Sequence, residues 1–315
     1  MKLVLIGSSR FGLRCLEACL QISSVNVVGV VTSCQTFSIS YRPEGVTNVL
    51  FADFGSFAQS KEIPVQTLSR SMQEPGLYEM VESWQPDLFL VAGWYHMIPK
   101  RWRELAPAYG LHASLLPDYS GGAPLVWAMI NGESKTGITL FQMDDGVDSG
   151  PIAGQKQEVI RPDDTIASLY ARIEQRGLEL LHETLPRFTD GSLRLRAQDH
   201  AWRRVMPQRS PEDGRIDWTQ DAVSVERFIR AQTRPYPGAF TTMDGRKLHI
   251  WDAKIVSPSA TEISPGLVFI SKLNEVCIGC GRQAIALIAA SYDYNDLDQQ
   301  QIWTMFKSGG QLLGA

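Results

Sequence analysis

The chain has 315 residues, 44% hydrophobic and 20% charged, a composition typical of a globular protein with a sizeable apolar core. Its formal charge of −4 argues against a nucleic-acid-binding protein, because phosphate binding needs clustered Lys and Arg. The sequence has no apolar run of about 18 residues, which excludes a membrane-spanning helix. Its five cysteines, an odd number, predict free thiols in a reducing cytoplasm.

In the first half of the chain, short apolar runs alternate with stretches of helical periodicity. The runs predict buried strands at 3–6, 25–31 and 87–92, and the periodic stretches predict helices at 11–22 and 77–84. This alternation is typical of a parallel sheet covered by helices on both faces. Such sheets bind ligands at the carboxyl ends of their strands.

The first strand is followed by the turn GSSRFG at residues 7–12. It lacks the glycine spacing of the dinucleotide fingerprint and the GK[ST] of a phosphate loop. A tight turn, in which a serine hydroxyl caps the following helix, is therefore favoured over a nucleotide site. Arg10 is a candidate contact for an anionic substrate.

A helix is predicted from Asp163 towards Leu185, with acidic residues in its first turn. Residues 207–214 contain two prolines and a glycine and predict a linker. Beyond it, short apolar runs separated by turns predict a small β barrel that contains one helix, near 223–232.

Residues 110–151 hold the side chains best suited to catalysis. His112 ends a short predicted strand, and about 36 residues later Asp144, Asp145 and Asp148 stand among glycines. A histidine paired with a carboxylate is a general acid/base pair, since the carboxylate fixes the tautomer and supports the imidazolium. From these residues alone, an ordinary hydrogen-bonding histidine and a structural Asp-Gly turn remain the alternative.

The same segment resembles the signature of the formyltetrahydrofolate-dependent formyltransferase family. The family pattern is Asn-x-His, Ser-Leu-Leu-Pro, Gly-x-Ala-Pro, Asn-Gly-Glu, Gly-x-Thr and an Asp before Ser/Thr-Gly. The chain carries these in order as GLHASLLP (110–117), GGAP (121–124), NGE (131–133), GIT (137–139) and DSG (148–150). Residues 213–218 and 235–240 resemble the carboxyl-terminal domain of the family, so the resemblance covers most of the chain.

The resemblance implies an α/β, Rossmann-like domain over 1–205 that takes N10-formyltetrahydrofolate as formyl donor, followed by an OB-like β domain over 206–315. It implies that His112 is the catalytic imidazole and Asp148 its carboxylate partner, with no metal. Two stretches are implied to line the folate site: Ser114, Leu115, Leu116 and Pro117, and the loop Met143, Asp144, Asp145, Gly146 and Val147, whose backbone contacts the pterin. The implied enzyme is a cytoplasmic one-carbon transferase.

One residue departs from the family pattern. Gly110 stands where the family has an asparagine that donates to the formyl oxygen, and losing one oxyanion donor typically costs about 2.7–4 kcal/mol of barrier. We expect another donor to replace it, with Tyr95 and His96 among the candidates. A slow or specialised enzyme, and a folate-binding protein without transfer, are the alternatives.

Charge favours a small acceptor amine. Residues 206–315 carry 11 Lys and Arg against 12 Asp and Glu, and residues 34–49, a basic arm in the family's tRNA enzymes, hold one Arg and one Glu. We predict a small-molecule amine as acceptor, with a nucleotide-linked amino sugar as a candidate. We do not expect tRNA or a membrane as a partner. The sequence is compatible with a homo-oligomer. Methionyl-tRNA formylation and hydrolysis of formyltetrahydrofolate are the alternative activities.

Two other motifs carry weaker predictions. The CxxC at 277–280 lies in a β run without the partner spacing of a zinc or redox site, so structural cysteines are favoured. Arg203 and Arg204 predict a solvated face.

Overall fold

A computed structural model describes residues 1–39, 42–257 and 264–314. The chain forms two compact units. The first consists of Met1–Pro124, Lys135–Val159 and Ala171–Met206, and the second of Leu125–Ser134, Ile160–Tyr170 and Pro207–Ala315. The division into folding domains after residue 205 stays a prediction.

The first unit is built on a seven-stranded sheet. Seven strands form this sheet and four more form two separate pairs: β1 (Lys2–Ile6), β2 (Asn26–Ser33), β3 (Thr36–Ile39), β4 (Arg42–Thr47), β5 (Val65–Leu68), β6 (Leu88–Val91), β7 (Ala108–His112), β8 (Ser120–Gly121), β9 (Lys135–Gln142), β10 (Ile152–Val159) and β11 (Val205–Met206). The main sheet has the order β10-β9-β7-β6-β1-β2-β5, while β3 pairs with β4 and β8 with β11.

Strand direction divides the main sheet into two parts. From β5 to β7 the neighbours are parallel, whereas β9 runs antiparallel to β7 and β10 antiparallel to β9. The interior strand β1 is buried on both faces, as Leu3, Val4, Leu5 and Ile6 show. The predicted α/β fold with a parallel-rich sheet is confirmed.

The helices connect the strands. They are α1 (Arg10–Gln21), α2 (Phe54–Ser60), α3 (Leu77–Ser83), α4 (Lys100–Leu105), α5 (Pro124–Ile130) and α6 (Ile166–Thr189), with a short 3₁₀ helix at His200–Trp202. The predicted helix from Asp163 is α6, and the Thr165 hydroxyl accepts the N–H of Ser168 at 3.2 Å near its start. Across the described ranges, no helix combines the length and apolarity that a bilayer crossing requires.

The turn after β1 packs tightly against the end of β6. The Ser9 hydroxyl accepts the N–H of Gly12 at 3.2 Å, which confirms the predicted serine cap. A Cβ on Gly7 or Gly12 would lie 2.4 or 2.5 Å from the carbonyl oxygen of Ala92. Both glycines are therefore needed for this close approach.

Backbone N–H groups of the same turn are already donated within the chain. Gly7 donates to Val31 O at 3.0 Å, Ser8 to the Gly93 carbonyl at 3.2 Å and Arg10 to the Leu50 carbonyl at 2.8 Å. These bonds tie the turn to its neighbours on the sheet edge.

The second unit contains an antiparallel sheet. Besides most of α5 and the first turn of α6, the unit contains two helices, α7 (Ala222–Gln232) and α8 (Gln299–Phe306), and a 3₁₀ helix at Pro211–Gly214. Its strands are β12 (Ala239–Met243), β13 (Arg246–Val256), β14 (Val268–Ile270), β15 (Val276–Gly279), β16 (Ala284–Tyr292) and β17 (Asn295–Leu297). The order β12-β13-β16-β15-β14, with β17 on β16, curls into a half-barrel. Its core buries Trp218, Ile250 and Phe306. The predicted smaller β domain is confirmed in this half-barrel form.

Candidate active site

His112 is the last residue of β7, at the carboxyl edge of the parallel strands. Its Nε2 lies 2.7 Å from the carbonyl oxygen of Tyr119, and since a carbonyl only accepts, this nitrogen donates. Its Nδ1 lies 3.5 Å from Oδ2 of Asp148, and the two side chains are 11% and 21% exposed. The imidazole can supply an N–H to both acceptors only in its protonated form.

Asp148 reaches His112 through a loop that doubles back along the sheet. Strand β9 is antiparallel to β7, so its last residue, Gln142, pairs with Tyr109 at the far end of β7. Residues 143–147 return from there to His112. Asp148 has a φ of +50°, and its Oδ2 accepts the Gly121 N–H at 2.8 Å. This hydrogen bond fixes the carboxylate beside the imidazole.

The buried hydroxyl of Thr139 fixes the segment that follows His112. It donates to Ser114 O at 2.7 Å and accepts the Leu116 N–H at 3.2 Å. The Gln155 amide donates to the same hydroxyl at 2.9 Å and to Leu116 O at 2.8 Å. The Ser114 hydroxyl donates to Asp118 O at 2.7 Å. The stretch 114–117 is therefore a hydrogen-bonded turn, in which the Ser114 side chain holds the turn itself.

The leucines of this stretch pack on the antiparallel part of the sheet. A Cβ on Gly137 would lie 2.5 Å from Leu115 Cδ2 and 2.3 Å from Lys156 O, which explains the glycine of the Gly-x-Thr motif. Leu116 is buried in a small cluster with Phe141 and Ile152. Pro117 is half-buried. That these residues line a folate site stays a prediction.

The loop Met143–Val147 is anchored at both ends and exposed between them. Asp144 accepts the Gly146 N–H at 3.0 Å and the Ser149 hydroxyl at 2.7 Å. Asp145 pairs with Arg103 at 2.6 Å, and the hydrogen bond and charge of that guanidinium lower the pKa of Asp145. Residues 144–147 are exposed. That the backbone of this loop contacts the pterin stays a prediction.

Gly110 and Met143 meet beside His112. Gly110 lies two residues before His112, so both face the same side of β7. A Cβ at Gly110 would lie 2.7 Å from Met143 Cε and 3.2 Å from Phe141 Cε1. The thioether chain of Met143 therefore occupies the space that a side chain at position 110 would enter.

Tyr95 and His96 follow β6, the neighbour of β7. The Tyr95 hydroxyl donates to Asn48 Oδ1 at 3.3 Å. The His96 ring packs against Phe37 and Trp94, with centroid separations of 5.2 Å for both pairs. Burial lowers the pKa of His96, so the ring is neutral at pH 7. Their role in binding or oxyanion donation stays a prediction.

Buried polar atoms at this strand end suit a heterocyclic ligand. Trp94 Nε1 and His96 Nε2 are both buried and have no hydrogen-bond partner in the described part of the chain. Buried polar groups in native proteins almost always have a partner. A ligand that carries ring nitrogen and carbonyl groups would supply one.

Arg10 is the first residue of α1, at the carboxyl end of β1. In the sheet, β1 is separated from β7 by β6 alone, so Arg10 belongs to the same edge as His112. Its side chain is exposed. Contact with an anionic substrate stays a prediction.

Residues 196–206 contact the loops of the site, and no motif in the sequence predicts these contacts. Arg204 donates two hydrogen bonds to Asp118, at 2.5 and 2.6 Å, and its guanidinium lies 4.5 Å from the ring centroid of Tyr119. Arg203 donates to Ser120 Oγ at 3.3 Å and to Val147 O. The prediction of a solvated face agrees with the partial exposure of both arginines, but it does not include these contacts.

The CxxC cysteines are unreactive. Cys277 and Cys280 are buried, and burial raises their pKa to about 11 and about 12, respectively. Both are neutral thiols at pH 7. Within the described ranges, no group of three or more His, Cys, Asp and Glu is arranged to hold a metal ion.

The Formyl transferase family profile matches residues 1–185, more than half of the chain. This chain belongs to the formyltransferase family. A second profile, the C-terminal domain of formyl transferases, matches residues 209–304. Members of the family are enzymes that transfer formyl groups, so the predicted enzyme class is confirmed.

Relatives of this formyltransferase differ in acceptor. The methionyl-tRNA formyltransferase of Myxococcus xanthus is 34% identical over 291 residues, covering 91% of this chain and 89% of that protein. This relative gives no support to the expectation that tRNA is not a partner. An N-formyltransferase from Helicobacter canadensis, solved with folinic acid and dTDP-3-aminofucose, superposes with a TM-score of 0.64 at 18% identity, covering 91% of this chain and 99% of that one.

HypX from Aquifex aeolicus, solved with tetrahydrofolic acid, superposes with a TM-score of 0.60 at 22% identity. The match covers 91% of this chain but only 43% of HypX, so this formyltransferase spans less than half of that protein. At this level of identity, both structural matches show the fold.

Proposed function

We propose that this formyltransferase moves the formyl group of N10-formyltetrahydrofolate to the primary amine of a small molecule, and that His112 and Asp148 carry the proton transfers. The observation that carries the proposal is the pairing of His112 Nδ1 with Asp148 Oδ2 at 3.5 Å, beside two anchored loops at the sheet edge. The five cysteines are free thiols, which fits a cytoplasmic location.

The geometry suits acyl transfer to an amine. The imidazolium of His112 is supported by Asp148, which faces its Nδ1 at 3.5 Å. The amine nitrogen attacks the formyl carbon, and the amine proton passes to Asp148, directly or through water. Because Nε2 of His112 is committed to Tyr119 O, the Nδ1 N–H donates to the developing oxyanion as Asp148 becomes neutral. The bond from the formyl carbon to N10 then breaks, and Asp148 returns the proton to N10.

The folate is proposed to bind across the 114–117 turn and the exposed 143–147 loop. The orphaned Trp94 and His96 nitrogens supply further polar contacts. Preorganised loops suit this task, since a formyl carbon must be held within about 3–3.5 Å of the attacking nitrogen.

For the acceptor, charge supports a small molecule such as a nucleotide-linked amino sugar. Residues 206–315 have a net formal charge of −1, whereas a tRNA-binding surface needs clustered cations. Methionyl-tRNA is the second candidate, favoured by the 34% identity to a methionyl-tRNA formyltransferase over 91% of the chain.

Turnover of N10-formyltetrahydrofolate by the purified protein tests the proposal. It is measured without amine and with dTDP-linked amino sugars, amino acids and methionyl-tRNA, in the wild type and in His112→Ala and Asp148→Asn. His182→Ala, at an exposed position on α6, is the control. We expect amine-dependent turnover that both site variants lose by at least 100-fold and the control retains.

Turnover with methionyl-tRNA and with no other amine would show that methionyl-tRNA, and not a small molecule, is the acceptor. Turnover independent of any amine would identify a hydrolase. Folate binding without turnover by any acceptor would contradict formyl transfer, and no folate binding would overturn the proposed function altogether.

A further inference from the structure

Gln198 holds the backbone on either side of the catalytic carboxylate. Its Nε2 donates to Asp148 O at 2.8 Å and to Gly150 O at 2.7 Å. Both acceptors are carbonyls, so only the amide nitrogen can make these bonds. The side chain is 7% exposed, and both of its N–H groups are used on this one turn.

The turn that Gln198 holds has an unusual backbone. Asp148 has a φ of +50°, the left-handed region that residues with a side chain seldom adopt. A Cβ on Gly150 would lie 1.8 Å from Gln142 O, so the backbone two residues later is also closely packed. Such a conformation persists only where the surroundings over-determine it.

The enclosure of Gln198 leaves one acceptor unsatisfied. Its Oε1 is buried and has no hydrogen-bond partner among the residues that the structure describes. An unpaired buried amide oxygen destabilises the fold, and positions that break such a rule cluster at functional sites. The two hydrogen bonds from the buried Gln198 amide to the turn at 148–150 offset this destabilisation.

The chain around Gln198 is itself anchored. Arg196 and Ile152 exchange two backbone hydrogen bonds, at 2.7 and 2.9 Å, and Arg196 also donates to Gln155 Oε1 at 2.6 Å. Gln198 therefore joins a fixed segment beside β10 to the loop that carries Asp148.

We infer that Gln198 is a positioning residue for formyl transfer. By clamping the carbonyls of residues 148 and 150, it keeps Asp148 in the left-handed conformation that aims its carboxylate at His112 and at the Gly121 N–H. This inference rests on the proposed function, because the role of Asp148 belongs to that proposal.

A double-mutant cycle separates positioning from a general effect on folding. The variants are Gln198→Leu, Asp148→Asn and the combination, followed in single-turnover reactions. Gln232→Leu is the matched control, since Gln232 is 6% exposed and its amide donates to Phe228 O in the second unit.

We expect Gln198→Leu to lower the transfer rate 10- to 100-fold with the KM for folate within 2-fold of the wild type. In the Asp148→Asn background the same change should alter the rate less than 2-fold, because the group it positions is already disabled. Equal loss in both backgrounds, or an unchanged rate in Gln198→Leu, would overturn the inference.

A second measurement does not depend on enzymatic activity. It tests whether Gln198 positions Asp148 even if the proposed function is wrong. The Gly121 amide donates to Asp148 Oδ2, so its hydrogen exchange reports where the carboxylate lies. We expect at least 10-fold faster exchange at Gly121 in Gln198→Leu and no change in Gln232→Leu. Unchanged protection at Gly121 in Gln198→Leu would show that the clamp does not position Asp148.

Discussion

At the scale of single residues, the site depends on close contacts between distant parts of the chain. His112 Nδ1 lies 3.5 Å from Asp148 Oδ2. Met143 Cε occupies the space beside Gly110, and the Gln198 amide donates to Asp148 O. Each contact can be broken by a single substitution, so each can be tested separately.

Gly110 leaves little free space for a side chain. A Cβ at this position would meet Met143 Cε, the movable end of a flexible chain, and Phe141 Cε1. Overpacking costs about 1–3 kcal/mol, and the low end applies where a neighbour can shift. We therefore expect Gly110→Asn to lower the free energy of unfolding by about 1 kcal/mol in urea titrations. Combination with Met143→Ala should recover most of the loss, since Met143 is the nearer obstacle. A Gly110→Asn variant as stable as the wild type would contradict this packing argument.

His96 makes stability depend on pH. Burial holds its pKa in the folded protein below the ordinary value of 6.5, so on acidification the unfolded chain binds the proton first. The free energy of unfolding therefore falls as the pH drops below about 6.5 through the folded-state pKa. His96→Phe should show a smaller fall between about pH 7 and pH 5, measured by urea unfolding. The exposed His182→Gln is the control, and a pH dependence in His96→Phe equal to that of the wild type would refute the assignment.

At the scale of elements, apolar periodicity predicts those strands and helices that bury most of their apolar side chains. Strand β1 and helix α1 lie within two residues of their predicted positions, and α7 matches the helix predicted near 223–232. Apolar periodicity does not predict the hairpin β3–β4 or the short helices α4 and α5, because few residues in them follow one period. The antiparallel direction of β9 depends on long-range pairing, so the sequence does not predict the return path of the Asp148 loop.

In the candidate site, the motif at 110–150 predicts His112 and Asp148 as partners. It does not predict that Met143 packs beside Gly110 or that Gln198 holds the Asp148 turn, because both contacts join distant parts of the chain.

Thr139 couples β9 to the turn after β7. Thr139→Val removes a hydroxyl that serves Ser114 O, the Leu116 N–H and the Gln155 amide, leaving buried polar groups unpaired. We expect a loss of about 1–3 kcal/mol in the free energy of unfolding and a higher KM for folate. Thr139→Ser keeps the hydroxyl and should retain wild-type KM. If Thr139→Val also retains it, the turn does not shape the folate site.

At the scale of the whole molecule, each compact unit has its own apolar core. One lies under the parallel sheet and includes Phe89 and Trp102, and the other fills the half-barrel. Composition and the order of elements predicted both architectures. The acceptor could not be deduced in the same way, because net charge is a sum over the surface and recognition depends on where the charges lie.

Folate binding should stabilise the folded chain. A ligand that binds only the native state at 100 times its Kd adds about 2.7 kcal/mol, so folinic acid should raise the calorimetric transition temperature. Asp148→Asn, which removes a charge but keeps the folate-lining stretches, should respond in the same way. Absence of any shift at saturating folinic acid would contradict the folate site at 114–117 and 143–147.

The tight turn after β1 limits how a nucleotide-bearing acceptor can be recognised. Gly7, Ser8 and Arg10 donate their backbone N–H groups to carbonyls of the chain. These three groups are therefore not free to bind a diphosphate at the start of the helix. Such an acceptor would have to be gripped by cationic side chains. Its KM should then rise with ionic strength, while the KM of an uncharged amine stays flat.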